Sequence, residues 1–134
     1  MTNQEKDEQI IGAILAGGAN RPLGLLQGNF GIADHVTMVP SYETASVCAV
    51  GAGLLFTGVT IASCPVRSFA RHYGVTTAYA TGVSDGFEAH YDGRPGIGCG
   101  YGSDAMKRTR DYQRGYAVGV AVSMASNQHG RDLD

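Results

Sequence analysis

The residues best suited to chemistry lie in a glycine-rich, basic stretch in the second half of the chain. Glycines alternate there with other residues just before Ser103 and Asp104, a pair that can begin a helix. Such glycines can turn successive backbone N–H groups towards an anion at the helix start. The range from Arg94 to Arg114 contains five basic and two acidic residues, a formal charge of about +3, whereas the whole chain has a formal net charge of −2. This stretch is therefore predicted to bind an anionic ligand.

The predicted ligand-binding residues combine the glycines and the helix cap with nearby cations and two tyrosines available for stacking. They are Tyr91, Arg94, Gly96, Gly98, Gly100, Tyr101, Gly102, Ser103, Lys107, Arg108 and Arg110. Because no strand is predicted before the glycines, neither the dinucleotide-binding fingerprint nor the P-loop pattern is met, and no cofactor is predicted. A mobile glycine loop beside a solvated helix face is the alternative interpretation.

Four residues within eight positions could together hold a divalent ion: Asp85, Glu88, His90 and Asp92. Oxygen and imidazole ligands suit such ions, but this spacing matches no known metal loop, and acids at a helix end are usually solvated. We therefore predict no metal site.

A thiol nucleophile is a further alternative. Cys99 lies in the glycine-rich stretch, and His72 or His90 could serve as its base. Cys48 is a poorer candidate because a thiol in an apolar helix stays protonated. No third residue that would orient the base is evident, so no catalytic residue is predicted.

The spacing of apolar residues predicts a mainly α-helical single domain, residues 1–134, of about four or five helices. These fall at residues 2–17, 42–57, 65–73, 76–88 and 104–126. A capping box of Thr2 and Glu5 is expected to start the first helix. A minor two-stranded parallel ribbon could pair residues 36–39 with 59–62. We expect loose tails at 1–8 and 127–134 and a glycine-rich loop at 89–103.

The segment from residue 65 to 88 has the sharpest local pattern. Pro65 suits a first helical position, Gly74 can end that helix, and Thr76 or Thr77 can cap the next one. This pattern predicts two helices joined by a tight turn. They pack through apolar faces such as the one around Phe69.

Residues 66–86 resemble a degenerate helix-turn-helix of DNA-binding regulators, with small and apolar residues at the positions that the motif requires. These are Ala70, Gly74, Val75, Ala80 and Val83. The resemblance implies that Arg67, Arg71 and His72 contact phosphates and that Thr76, Thr77 and Tyr79 face bases. The second helix, however, has no Lys or Arg and contains Asp85 and Glu88, which phosphates would repel. Nucleic-acid binding is therefore disfavoured.

A second resemblance covers about a third of the chain. The runs LLQGNFG and ASVCAVGAGL are similar to those of small bacterial and phage proteins with a Cys-Ala-x-Gly-Ala helix, and residues 112–119 are similar to the Tyr-x-x-Gly-Tyr-x-x-Gly endings of small phage proteins. Leu25 and Leu26 stand where a tryptophan is expected. Members of this group have no assigned activity, so the resemblance implies phage association and no particular chemistry.

The composition excludes several classes of protein. A chain of 134 residues that is 43% hydrophobic can bury a core of its own. The net charge of −2 argues against a general binder of nucleic acid or of anionic membranes. Neither an apolar run of about 18 residues nor a signal segment is present, so we expect a cytoplasmic protein without a membrane partner. The cysteines, Cys48, Cys64 and Cys99, have spacings that imply neither a disulfide framework nor a zinc knuckle.

Small residues repeat every four positions in the last predicted helix, at Gly115, Gly119 and Ser123 and again at 117, 121 and 125. Two such ridges predict two close neighbours, the helix at 42–57 and a second subunit. We predict a non-enzymatic homo-oligomer that sequesters or blocks a phosphate-bearing ligand or a host protein. A DNA-binding regulator and a thiol-dependent enzyme are the alternatives.

Overall fold

The first helix, α1 (Asn3–Ala19), begins with a reciprocal cap. The Glu5 N–H donates to Thr2 Oγ1 at 3.1 Å, and the Thr2 N–H donates to Glu5 Oε1 at 3.1 Å. Each side chain thus pairs a backbone N–H that the helix itself leaves unpaired. The predicted capping box is confirmed. Further along α1, Ile10 and Ile14 are completely buried.

The computed structural model describes residues 1–19, 32–33, 40–41, 49–54, 57, 65–90 and 102–133. The other helices of these residues are α2 (Ala49–Leu54), α3 (Pro65–Tyr73), α4 (Thr77–His90), α5 (Asp104–Lys107) and α6 (Arg110–Leu133). The prediction of a small, mainly α-helical single domain is confirmed. Two residue pairs, β1 (Ile32–Ala33) and β2 (Pro40–Ser41), lie antiparallel. The parallel ribbon predicted between 36–39 and 59–62 lies outside the described residues.

The turn between α3 and α4 follows the prediction closely. Gly74 has a φ of 67°, in the left-handed region that favours glycine. The Val75 N–H then donates to the Ala70 carbonyl at 3.0 Å, which closes the end of α3. Thr76 Oγ1 accepts from the Tyr79 N–H at 3.2 Å and so caps α4.

Helices α4 and α6 touch through their backbones, with glycines at the contact. A Cβ built on Gly115 would lie 2.0 Å from the Tyr79 carbonyl oxygen, and one on Gly119 would lie 2.2 Å from that of Val83. On the opposite side, Cβ atoms on Gly82 and Gly86 would each lie 2.2 Å from a carbonyl of α6. Residue numbers at the contacts increase in the same order along both helices, from Tyr79 and Gly115 to Val83 and Gly119. Helices α4 and α6 are therefore parallel. Any side chain at these four positions would force the helices apart.

This contact corrects the prediction for the ridge of Gly115, Gly119 and Ser123. The neighbour of Gly115 and Gly119 is α4 of the same chain, not the helix at 42–57 or a second subunit. Ser123 is also fully buried. Small residues showed that another helix comes close, but their spacing does not identify which helix. The ridge is therefore not available for the predicted self-association.

The predicted helix at 104–126 is interrupted. Helix α5 ends at Lys107 and α6 begins at Arg110, and Thr109 serves both ends. Its hydroxyl donates to the Met106 carbonyl at 2.7 Å and accepts from the Tyr112 N–H at 3.2 Å. A threonine can act in this way because its side chain bonds to local backbone in place of a continuous helix. Helix α6 then extends beyond the predicted end, to Leu133.

The core lies among α1, α2, α3, α4 and α6: α4 packs chiefly on α6, while α1 packs on α2 and α6. Its largest fully buried side chains are Tyr79, Phe69, Phe87, Ile10, Ile14, Leu54, Val50, Val83 and Val122. Among the helices of the described residues, none combines the length and the apolar composition needed to cross a bilayer.

Candidate functional site

Five predicted ligand-binding residues are described by the structure, and they lie around the short helix α5. They are Gly102, Ser103, Lys107, Arg108 and Arg110. The other six lie outside the described residues: Tyr91, Arg94, Gly96, Gly98, Gly100 and Tyr101. The structure therefore places the basic end of the predicted site, while its glycine-rich end stays a prediction.

The three cations of this region project from the junction between α5 and α6. Lys107, Arg108 and Arg110 are all exposed, and none forms an ion pair with a residue in the described ranges. We call these three residues the basic turn. Ser103 fixes its start, since Ser103 Oγ accepts from the Met106 N–H at 3.1 Å and caps α5. The basic turn is thus a locally ordered cluster of positive charge.

A buried acid holds both ends of the segment that carries the basic turn. Asp85 of α4 is only 8% exposed, and its Oδ2 accepts from the Gly102 N–H at 3.0 Å and from the Tyr112 hydroxyl at 2.6 Å. Gly102 precedes α5 and Tyr112 lies in the first turns of α6. The carboxylate therefore anchors residues 102–112 to α4.

The second oxygen of the Asp85 carboxylate, Oδ1, differs from Oδ2 in its hydrogen bonding. Asp85 Oδ1 is buried, and among the described residues it has no hydrogen-bond partner. A buried polar atom without a partner costs about 1–3 kcal/mol. Burial, followed by the hydrogen bond to Asp85, raises the pKa of the Tyr112 hydroxyl well above its ordinary value, so this phenol stays a donor.

Asp85 is one of the four residues considered above for a metal site, and in the structure it accepts hydrogen bonds instead. Its Oδ2 accepts hydrogen bonds from the Tyr112 hydroxyl and from the Gly102 N–H. No three His, Cys, Asp or Glu side chains lie close enough to hold a metal ion within the ranges that the structure describes. Asp92 lies outside those ranges.

A second polar cluster was not predicted. Arg114 Nε donates to Asp7 Oδ1 at 2.8 Å and to Asp7 Oδ2 at 3.1 Å, and the Tyr79 hydroxyl donates to Asp7 Oδ1 at 2.6 Å. The guanidinium carbon also lies 4.8 Å from the centre of the Tyr79 ring. These residues are separated by up to 107 positions in the chain, so no local spacing could have revealed them.

The residues that the helix-turn-helix resemblance assigned to DNA are divided between surface and core. The exposed ones are Arg67, Arg71, His72, Thr76 and Thr77. Tyr79, in contrast, is 1% exposed, and every residue of α4 from 79 to 87 is buried. Over these residues α4 has no free face that could enter a major groove. This burial argues against base reading by α4.

The residues proposed for thiol chemistry are only partly placed. Cys48, Cys64 and Cys99 lie outside the described residues. His72 is exposed and packs edge-on against Tyr73, with ring centres 4.7 Å apart. The alternative of a Cys–His pair is therefore not tested by the described residues.

Comparisons of this chain with protein-family models, with curated proteins and with solved structures gave no match.

Proposed function

We propose that the chain is a non-enzymatic binding protein that uses the basic turn to hold an acidic face of a protein partner, and that it sequesters or blocks that partner. The observation that carries this proposal is the exposure of Lys107, Arg108 and Arg110 on one anchored turn. Three exposed cations without an ion-pair partner among the described residues, in an otherwise acidic chain, attract an acidic partner and orient its approach.

The exposure of these cations favours a macromolecule over a small ligand. Residues 107–110 are four consecutive exposed positions at the junction of α5 and α6. Small ligands prefer concave sites that bury most of their surface. An exposed cationic turn suits the complementary acidic surface of another protein. If the chain is phage-associated, as the sequence resemblance implies, the partner is a host protein.

The experiment is affinity capture from bacterial lysate with the full chain and with an Arg108→Glu/Arg110→Glu variant. The matched control is Arg67→Glu/Arg71→Glu, which reverses two exposed arginines on α3. We expect the first variant to lose the captured partner and the control to retain it, with both keeping the wild-type thermal midpoint. Capture should also weaken steeply as salt is raised.

Two results would overturn the proposal. One is equal capture by both variants, or equal loss in both, since neither outcome is specific to the basic turn. The other is a small phosphate-bearing molecule that native mass spectrometry finds on the wild-type protein and not on Arg108→Glu/Arg110→Glu. That result would replace the protein partner with a small ligand at the same cations.

A further inference from the structure

A cleft separate from the basic turn lies between the start of α1, the turn before α4 and the start of α6. Its volume is about 380 Å³, within the range of about 300–1,000 Å³ that is usual for small-molecule sites. Its polar lining residues include Lys6, Thr76, Tyr79, Asp111 and Arg114. None of the three residues of the basic turn lines it.

Arg114 is held in place by contacts that, within the part of the chain the structure describes, use only Nε to bond to an acid. Only Nε bonds to Asp7, at 2.8 and 3.1 Å, and the guanidinium lies over the Tyr79 ring. The guanidinium also interacts with the Tyr79 hydroxyl. Among the described residues, neither terminal nitrogen donates any of its four N–H groups to an acid. The side chain is therefore oriented before any ligand arrives, and its fork of donors stays available.

The remaining polar groups of the cleft also leave more donors than acceptors. Lys6 Nζ donates one N–H to the Tyr73 carbonyl at 2.9 Å, and its other two have no hydrogen-bond partner among the described residues. The Thr76 hydroxyl donates to Asp111 Oδ2 at 3.0 Å, so one of the carboxylate's two oxygens is already engaged. A ligand that fits this lining must chiefly accept hydrogen bonds.

The charges indicate how strongly charged that ligand can be. Lys6 and Arg114 are balanced by Asp7 and Asp111, so the cleft offers directed donors and little net positive charge. Highly charged polyanions would be repelled by the two acids. A single planar or tetrahedral oxyanion could instead pair with the guanidinium fork, which bonds to such groups through two parallel N–H donors.

From this surplus of donors we propose that the cleft binds a small ligand through one carboxylate or phosphate group, with Arg114 as the bidentate donor and Lys6 as the second cation. The site goes beyond the proposed function and does not depend on the basic turn.

The test is an NMR titration of the full chain with sodium phosphate and, separately, with sodium acetate, at constant ionic strength set with sodium chloride. We expect saturable shifts of the Arg114 side-chain N–H and of the backbone amides of Val75 and Thr76. Saturation by phosphate alone or by acetate alone identifies the ligand's oxyanion, and either result supports the site.

Arg114→Lys keeps the charge and loses the fork, so it should weaken the response at least tenfold. Lys6→Met keeps the aliphatic stem and removes the donors, and it should also weaken the response. The matched control, Arg67→Lys, makes the same change at an exposed arginine of α3, outside both proposed sites, and should leave the titration unchanged. Thermal unfolding of each variant verifies that it is folded.

The proposal is overturned if neither anion gives saturable shifts at the cleft, because linear shifts indicate an adventitious ion only. It is also overturned if folded Arg114→Lys and Lys6→Met both titrate like wild type. Charge reversal of Arg108 and Arg110 should leave cleft binding intact, so failure of the cleft proposal and failure of the proposed function are separate results.

Discussion

The Tyr112 hydroxyl donates a 2.6 Å hydrogen bond to the buried carboxylate of Asp85. The same carboxylate oxygen accepts from the Gly102 N–H. One side chain of α4 thereby fixes the two ends of the segment that presents the basic turn. The arrangement is compact, since a Cβ on Gly102 would lie 2.7 Å from the Tyr112 ring and 3.4 Å from Asp85 Oδ2.

This relationship predicts that Asp85→Ala destabilises the fold far more than Asp85→Asn. Alanine leaves the Tyr112 hydroxyl and the Gly102 N–H without their acceptor, at a cost of about 3 kcal/mol or more. Asparagine keeps a carbonyl oxygen that both groups can reach. We therefore expect Asp85→Asn to lower the free energy of unfolding by about 1 kcal/mol or less. Urea unfolding measures the two differences.

Tyr112→Phe is the companion change, since it removes one donor and keeps the ring. We expect a loss of about 1.5–3 kcal/mol, the usual contribution of a hydrogen bond to a charged group. If Asp85→Asn and Asp85→Ala are equally destabilised, the hydrogen-bonded role of Asp85 is wrong and only its charge matters.

Local patterns predicted the parts of the fold that depend on neighbouring residues. Thr2 and Glu5 form the expected cap, and Gly74 and Thr76 form the expected turn between α3 and α4. Each of these depends on backbone groups within a few positions. The spacing of residue types along the chain is therefore enough to predict these local features.

The sequence could not reveal which elements meet. The ridge containing Gly115 and Gly119 was visible as a repeat, but its partner α4 is determined by packing of the whole chain. The same holds for the candidate sites. Asp85 and Tyr112 are 27 positions apart, and Asp7 and Arg114 are 107 apart. For the basic turn, the sequence indicated the cluster of cations and the helix start at Ser103, but not the break between α5 and α6.

A graded series of glycine-to-alanine changes tests the contact between α4 and α6. Gly115→Ala should cost about 3 kcal/mol or more, since its Cβ would meet the Tyr79 backbone at 2.0 Å and backbone cannot move aside cheaply. Gly53→Ala should cost less, because the atom it meets, at 2.6 Å, belongs to the Phe69 side chain. Thermal unfolding ranks the variants.

Gly12→Ala is the control for this series. Gly12 lies on the exposed side of α1 with nothing within 4 Å, so alanine should stabilise the helix by up to about 1 kcal/mol. A Gly115→Ala protein as stable as Gly12→Ala would rule out the close backbone contact.

Gly74→Ala tests backbone conformation without a change in packing. Its Cβ would also meet nothing within 4 Å, but its φ of 67° is strained for alanine. We expect a loss of about 1 kcal/mol, the usual cost of a left-handed residue with a side chain. Gly74→Asn should lose less, because asparagine tolerates this conformation better. Equal stability of all three proteins in urea would contradict the turn geometry.

Three buried tyrosines should make the fold sensitive to alkali. Burial raises the pKa of Tyr73, Tyr79 and Tyr112 above the ordinary value of 10.0, and hydrogen bonds to Asp7 and Asp85 raise it further for the last two. Above about pH 10 the unfolded chain releases these protons while the folded protein keeps them. Stability is therefore fully present below that pH and falls as the pH rises further.

Urea unfolding from neutral pH to beyond pH 10 measures this decline. Tyr79→Phe and Tyr112→Phe each remove one of the shifted groups, so the fall in stability with pH should be shallower in both variants than in wild type. Ultraviolet difference spectra should show the corresponding phenols ionising only as the protein unfolds. A decline of the same slope in all three proteins would show that other groups, such as lysines, cause it, and that the Asp7 and Asp85 hydrogen bonds do not hold these phenols protonated.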